Sequence, residues 1–80
     1  MLLTMSLPIE EYFKYHPPTT PERIAAHNAV NEAALTFAKT VEENVEDEDY
    51  CKMAFFAIQE ARMFANQGIT VDELLTLQNN

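Results

Sequence analysis

Hydrophobic and polar positions recur at helical spacing along most of the chain. Thr19-Thr20-Pro21-Glu22 reads as a helix start: a threonine cap, proline in the first turn, and glutamate three after Thr19 as in a capping box. From there Ile24, Val30, Leu35, Phe37 and Val41 recur at spacings of mostly three to six, among six alanines between Ala25 and Ala38. The pattern predicts a helix over 20–44 whose small residues admit a close neighbour. Glu42 to Asp49 holds six acids and reads as the turn. Acids suit the positive end of a following helix, with Glu46 or Asp47 as its cap. That second helix is expected over 47–67, ended by Gly68, the only glycine, in a left-handed C-cap conformation. Thr70-Val71-Asp72-Glu73 reads as another capping box, opening a short helix over 70–78. At the other end, 6–13 has the pattern of about two helical turns, and 14–19 is a proline-rich arm, because Pro17 and Pro18 forbid helix there.

The second helix carries the strongest packing signal. Tyr50, Met53, Ala54, Ala57, Ala61, Phe64 and Ala65 form one stripe, Cys51, Phe55 and Ile58 a second, and Phe56 and Met63 lie on a third. A helix that is apolar nearly all round is buried nearly all round, and one partner helix of similar length cannot cover it. The alternative is one packed stripe with scattered exposed aromatics. At 80 residues the chain forms a single helical domain at most, and domains this small usually need disulfides, a metal or a partner chain. There is one cysteine and no Cys/His cluster with ligand spacing, so no cofactor or metal is expected. The expected fold class is all-α: a short N-terminal helix and a long antiparallel helical hairpin, assembled as an interlocked homo-oligomer. Met1 to Leu3 is too short an apolar run for a signal peptide or membrane span, so a soluble intracellular protein with no membrane partner is expected.

Charge narrows the functional classes. Thirteen acidic against five basic residues give a net charge of −8, which repels nucleic-acid backbones, so no nucleic-acid partner is expected and any anionic ligand must find a local cation. Catalysis has little support. Cys51 has no histidine at helical spacing and reads as an inert thiol. His27 and Asn31, four apart, share a helix face and suit a ligand, a metal or simple hydrogen bonding. The stretch Phe13-Lys14-Tyr15-His16-Pro17-Pro18 is different. Each residue before a proline is pushed out of the helical region, so the segment is extended and presents its rings at little entropic cost. Phe13, Tyr15 and His16 are candidate faces for a planar base, with Lys14 and Arg23 at hand for phosphate. The alternative is that the aromatics pack on the hairpin and the prolines are a rigid linker.

An aromatic followed by Tyr15-His16-Pro17-Pro18, then Pro21-Glu22-Arg23 opening an alanine-rich helix, and later Glu60-Ala61-Arg62-Met63-Phe64-Ala65-Asn66-Gln67-Gly68-Ile69, resembles the small all-helical anti-CBASS proteins of phages. These cyclic-nucleotide sponges are related to a helical hairpin domain of the larger Thoeris anti-defence sponges. The resemblance runs roughly from Glu11 to Ile69. It implies a homohexamer that captures cyclic dinucleotides such as cyclic GMP-AMP between protomers, in the cytoplasm of the infected bacterial host, with separate three-fold pockets for cyclic trinucleotides. Tyr15 matches the aromatic that stacks on a base, with His16 and Pro17 beside it. The family's basic phosphate contact, early in the first long helix, falls at Asn28, a neutral residue. Asn28 itself, or Arg23, His27 or Asn31, would then meet the phosphate. For a trinucleotide pocket the nearest cation is Arg62.

Two other readings come from different classes. An acidic decoy that mimics DNA would fit the charge, but it requires acids spread at phosphate-like intervals, whereas six are bunched in Glu42 to Asp49. An adaptor oligomer with no small ligand explains the apolar helix, yet gives no reason for a rigid aromatic arm. A sponge needs no catalytic machinery, so the chain is not expected to be an enzyme.

Overall fold

The structure is a computed structural model and describes residues 7–78; Ser6, the expected start of the first short helix, lies outside it. The described residues form a short 3-10 helix, Ile9–Phe13, then two long helices, α1 (Pro21–Asn44) and α2 (Glu48–Gln78), packed as an antiparallel hairpin, with no strand among them. The molecule measures 50 × 36 × 18 Å.

Most boundaries follow from local chemistry. Thr20, in extended conformation, caps α1: its Oγ1 accepts from the Arg23 amide at 3.2 Å, and Pro21 fills the first helical position, where an N–H is not needed. The expected capping box from Thr19 is not formed: Thr19 is engaged by Glu73, and Thr20 acts as a simple N-cap with Arg23, not a glutamate, three residues on. Helix α1 ends where Val45 turns extended and donates back to Val41. The turn is only Val45-Glu46-Asp47, and Asp47 is the cap of α2, its Oδ1 accepting from the Tyr50 amide at 2.8 Å. Near the N-terminus the expected pair of helical turns is a single 3-10 segment, bounded by Pro8 and by Lys14 in extended conformation.

The largest departure is at Gly68. The sequence reading breaks the helix there and starts a new one at Thr70, but α2 runs through both for 31 residues, and none of the described residues has positive φ. Glycine costs a helix interior about 1 kcal/mol against alanine. Past it, Ile69, Val71, Leu74 and Leu75 are half-buried and Glu73 is buried, so continuing the helix keeps those contacts. The capping box is not formed; Glu73 bonds to a distant residue instead.

The seam between the helices is thin. Among the described residues only Leu7, Val41 and Ile58 are buried apolar residues, while Phe56 (70% exposed), Phe64 (74%), Tyr50, Met53 and Met63 stand in solvent. Alanines on both helices leave an open groove of about 530 Å³ between Phe37 and Val30 on α1 and Ile58, Ala61 and Ala65 on α2. No helix of the described residues is long and apolar enough to cross a membrane.

Candidate functional site

Arg23, His27 and Asn31 recur every four residues on α1 and so form one stripe; Gln59, Arg62, Asn66 and Glu73 do the same on α2 at spacings of three, four and seven. The antiparallel pairing lays the two stripes together along one side of the seam. His27 Nδ1 donates to Asn66 Oδ1 at 2.8 Å, and Asn66 Nδ2 donates to Asn31 Oδ1 at 2.9 Å. The Arg62 guanidinium donates to the same Asn31 oxygen at 3.4 Å and, through Nε, to Gln59 Oε1 at 2.9 Å. Asn66 both accepts and donates and Asn31 gathers two donors, so the chain of bonds fixes the side-chain orientations from His27 to Arg62. A pocket of about 290 Å³ opens beside it, with Asn31, Gln59 and Arg62 at its polar end and Leu35, Phe55 and Ile58 at its apolar end. His27 and Asn31 thus share a cluster, as the sequence suggests, but through Asn66 rather than directly. No group of three or more His, Cys, Asp or Glu placed to hold a metal occurs among the described residues.

The arm lies at the other end of this strip. Tyr15 is 87% exposed and Phe13 84%, so neither packs on the hairpin of its own chain. The backbone between them and α1 is extended from Lys14 and carries two prolines. His16 is turned inward: its Nε2 donates to the Glu11 carbonyl at 2.8 Å and lies 3.3 Å from the Glu11 carboxylate, which also pairs with Lys14. The ring that the sequence offers as a stacking face therefore braces the arm. Pro17 is exposed.

Glu73 fastens the arm's other end. Its Oε1 accepts from the Thr19 amide at 3.0 Å and from the Thr19 hydroxyl. These bonds span 54 residues and join the arm to the tail of α2. Glu73 is the one buried charged residue among those described, 6% exposed. The Thr19 hydroxyl and amide hold its carboxyl below the ordinary value of 4.5; burial opposes this, and Arg23 and His27 add weaker attraction. Arg23 and His27 are therefore neighbours of the arm's root. Asn28 is exposed, one residue off the Arg23-His27-Asn31 stripe.

Sequence reasoning singled out Tyr15, His16, Pro17, Arg23, His27, Asn28, Asn31 and Arg62; the structure joins His27, Asn31 and Arg62 through Asn66, sets Arg23 and His27 near Glu73, leaves Tyr15 and Pro17 exposed on the arm with His16 turned onto Glu11, and keeps Asn28 off the stripe. It missed Asn66 and Gln59 as partners, and it gave Glu73 a local capping role. The signal was present as matching stripes on two helices, visible only once they are paired in antiparallel register.

Neither a curated protein nor a solved structure matches the chain. The profile described as "Acb2/Tad1, hairpin domain" matches residues 5–70, which include the arm, all of α1 and α2 as far as Thr70. By that match over most of its length the chain belongs to the Acb2/Tad1 hairpin-domain family, the anti-CBASS and anti-Thoeris sponges that act against defence by taking up cyclic nucleotides.

Proposed function

We propose that this protein sequesters cyclic dinucleotides such as cyclic GMP-AMP, uncleaved, in sites shared between copies of the chain, and so keeps CBASS effectors inactive in the cytoplasm of a phage-infected bacterium. The observation that carries this reading is Tyr15: a ring 87% exposed on an arm braced at both ends. An exposed aromatic held rigidly is a poor use of apolar surface unless something stacks on it.

The assembly is a homo-oligomer, a hexamer on the family pattern. Its support here is the uncovered apolar face of α2, with Tyr50, Met53, Phe56, Met63 and Phe64 all more than half exposed. A cyclic dinucleotide has two bases, two phosphates and near two-fold symmetry, so a site on a two-fold axis needs one ring and one set of donors from each protomer. Stacking two bases contributes roughly 2 to 6 kcal/mol, whereas nanomolar capture needs about 12. Bonds to phosphate from Arg23, His27, Asn28 or Asn31 supply the remainder once a second copy closes the site to water. Arg62, at the polar end of the smaller pocket, is the cation for a second, cyclic trinucleotide class.

The test is native mass spectrometry with and without a panel of cyclic di- and trinucleotides, beside calorimetry on two variants. Tyr15→Phe should bind cyclic GMP-AMP nearly as the native protein does. Tyr15→Ala should lose about ten- to a hundredfold or more at each base contacted. Ligand released by heating should return intact. Unchanged affinity in a Tyr15→Ala protein of native mass removes Tyr15 from the site, and hydrolysed ligand replaces the sponge with an enzyme.

A further inference from the structure

The arm is strapped to the body from two directions, and only one strap is local. On the N-terminal side the 3-10 helix holds it, through His16 and Lys14 on Glu11. Across the prolines, Glu73 takes both donors of Thr19, amide and hydroxyl, from the far end of the chain. Tyr15 sits four residues before Thr19, and at about 3.1 Å per residue for polyproline-like backbone the ring's root lies within roughly 12 Å of this bond. Pro17 and Pro18 have fixed φ and lie in between, so an orientation set at Thr19 is carried to Tyr15 with few free torsions. Without the Glu73 bonds the arm would pivot about the joint between Pro18 and the Thr20 cap.

We propose that Glu73 is a positioning residue for the arm: by gripping Thr19 it fixes the Tyr15 ring in its binding orientation before any ligand arrives. Its consequence for affinity rests on the ligand reading given above; its consequence for the arm does not. Three observations support it. A carboxylate 6% exposed, on an otherwise mostly exposed hairpin, is placed there at a desolvation cost that only its bonds offset. Both bonds go to a single residue of the arm rather than to its own helix, although Thr70 stands at the capping position three residues away. And Glu73 lies on α2 beyond Gly68, so the helix must continue through an unfavourable residue for the grip to exist. Preordering an arm in this way raises affinity by removing an entropic cost from the binding step.

The experiment follows the Thr19 amide and the nucleotide side by side. Amide exchange at position 19 is measured by NMR in the native protein, Glu73→Ala, Glu73→Gln and Thr19→Ala, and calorimetry with cyclic GMP-AMP is run on each. Thr19→Ala lies outside both long helices and covers the case in which Glu73→Ala fails to fold. Exchange at Thr19 should speed up about tenfold or more in Glu73→Ala, with the helical signal kept. Glu73→Gln keeps an acceptor oxygen and should recover most of the protection. Affinity should fall about tenfold in Glu73→Ala, with a larger entropic penalty, and the same substitution should cost nothing further in a Tyr15→Ala background. Unchanged exchange in Glu73→Ala overturns the grip. A freed arm with native affinity overturns the positioning role, as does an equal loss of affinity with and without the Tyr15 ring. If the native protein takes up no cyclic nucleotide, the ligand reading falls and the exchange rates alone decide the grip.

Discussion

Replacing Gly68 with alanine separates two conformations of the same residue by the sign of the effect. In the structure Gly68 lies inside α2 with negative φ, and a Cβ built on it meets nothing within 4 Å, so alanine adds no clash. The change then exchanges the poorest ordinary helix former for the best, a stabilisation of about 0.8 to 1.0 kcal/mol. For a domain of this size that raises the thermal midpoint by roughly 4 to 8 °C. Were Gly68 the left-handed C-cap that its position before Ile69-Thr70 suggests from sequence, alanine would instead cost about 1 to 2 kcal/mol. The assay is thermal and urea unfolding followed by far-ultraviolet circular dichroism, at matched protomer concentration because oligomer midpoints shift with concentration. A Gly68→Ala protein less stable than the native one would refute a continuous α2 and, with it, the placement of Glu73 against the arm.

Two further outcomes follow from single contacts. Acid should release the arm: the folded-state pKa of Glu73 lies below its ordinary value of 4.5, so its contribution is fully present above that value and is lost as pH falls through the lower, folded one. Arg23, which is charged, and His27, which is titratable, face it, and Thr19 amide exchange, corrected for intrinsic rate, should accelerate below about pH 4.5 in the native protein and stay flat in Glu73→Gln; release near pH 6.5 would place the switch on a histidine. Asp47→Ala should cost about 0.5 to 2 kcal/mol by urea unfolding, because it removes the acceptor of the Tyr50 amide at the start of α2, whereas Asp47→Asn keeps an oxygen there and should cost little.

The hairpin was legible because its signals are local. Proline and threonine at 20–21, and acids at the start of the second helix, act on the backbone within one turn, and the structure places both ends of α1 and the start of α2 where they indicate. Gly68 and the Thr70-Glu73 box misled for the converse reason. Both are local signals too, but a residue 54 positions away competes for Glu73, and half-buried Ile69, Leu74 and Leu75 favour continuation. The site divides the same way. Tyr15 stood out in the sequence by its place before two prolines, but packing on the hairpin was an equal alternative there, and only the structure shows the ring 87% exposed. The direction of His16 depended on the Glu11 carbonyl, a backbone atom that no residue pattern displays. The bonds from His27 through Asn66 to Asn31 and Arg62 need the register of two helices, which spacing along one of them cannot give.

A net charge of −8 looks hostile to an anionic ligand, but its distribution decides the matter. Six acids stand between Glu42 and Asp49, with only Lys39 and Lys52 nearby, so about half of the excess negative charge is gathered at the turn. From Thr20 to Glu42 is 22 residues of α1, about 33 Å at 1.5 Å per residue. That is roughly four screening lengths at physiological salt, where the length is about 8 Å. The turn therefore hardly contributes to the field at the arm. At the arm's own end, two of the acids are already engaged: Glu11 with Lys14 and His16, and Glu73 with Thr19 beside Arg23 and His27. The basic residues are few, yet three of the five, Lys14, Arg23 and Arg62, lie along the strip that runs from Tyr15 to the smaller pocket. In the proposed two-fold site, symmetry would double whatever one protomer offers, so a sparse set of cations would suffice for two phosphates. An acidic hairpin can then concentrate its negative charge at the turn and still present, at the opposite end, the ring and donors that the proposed anionic ligand would use.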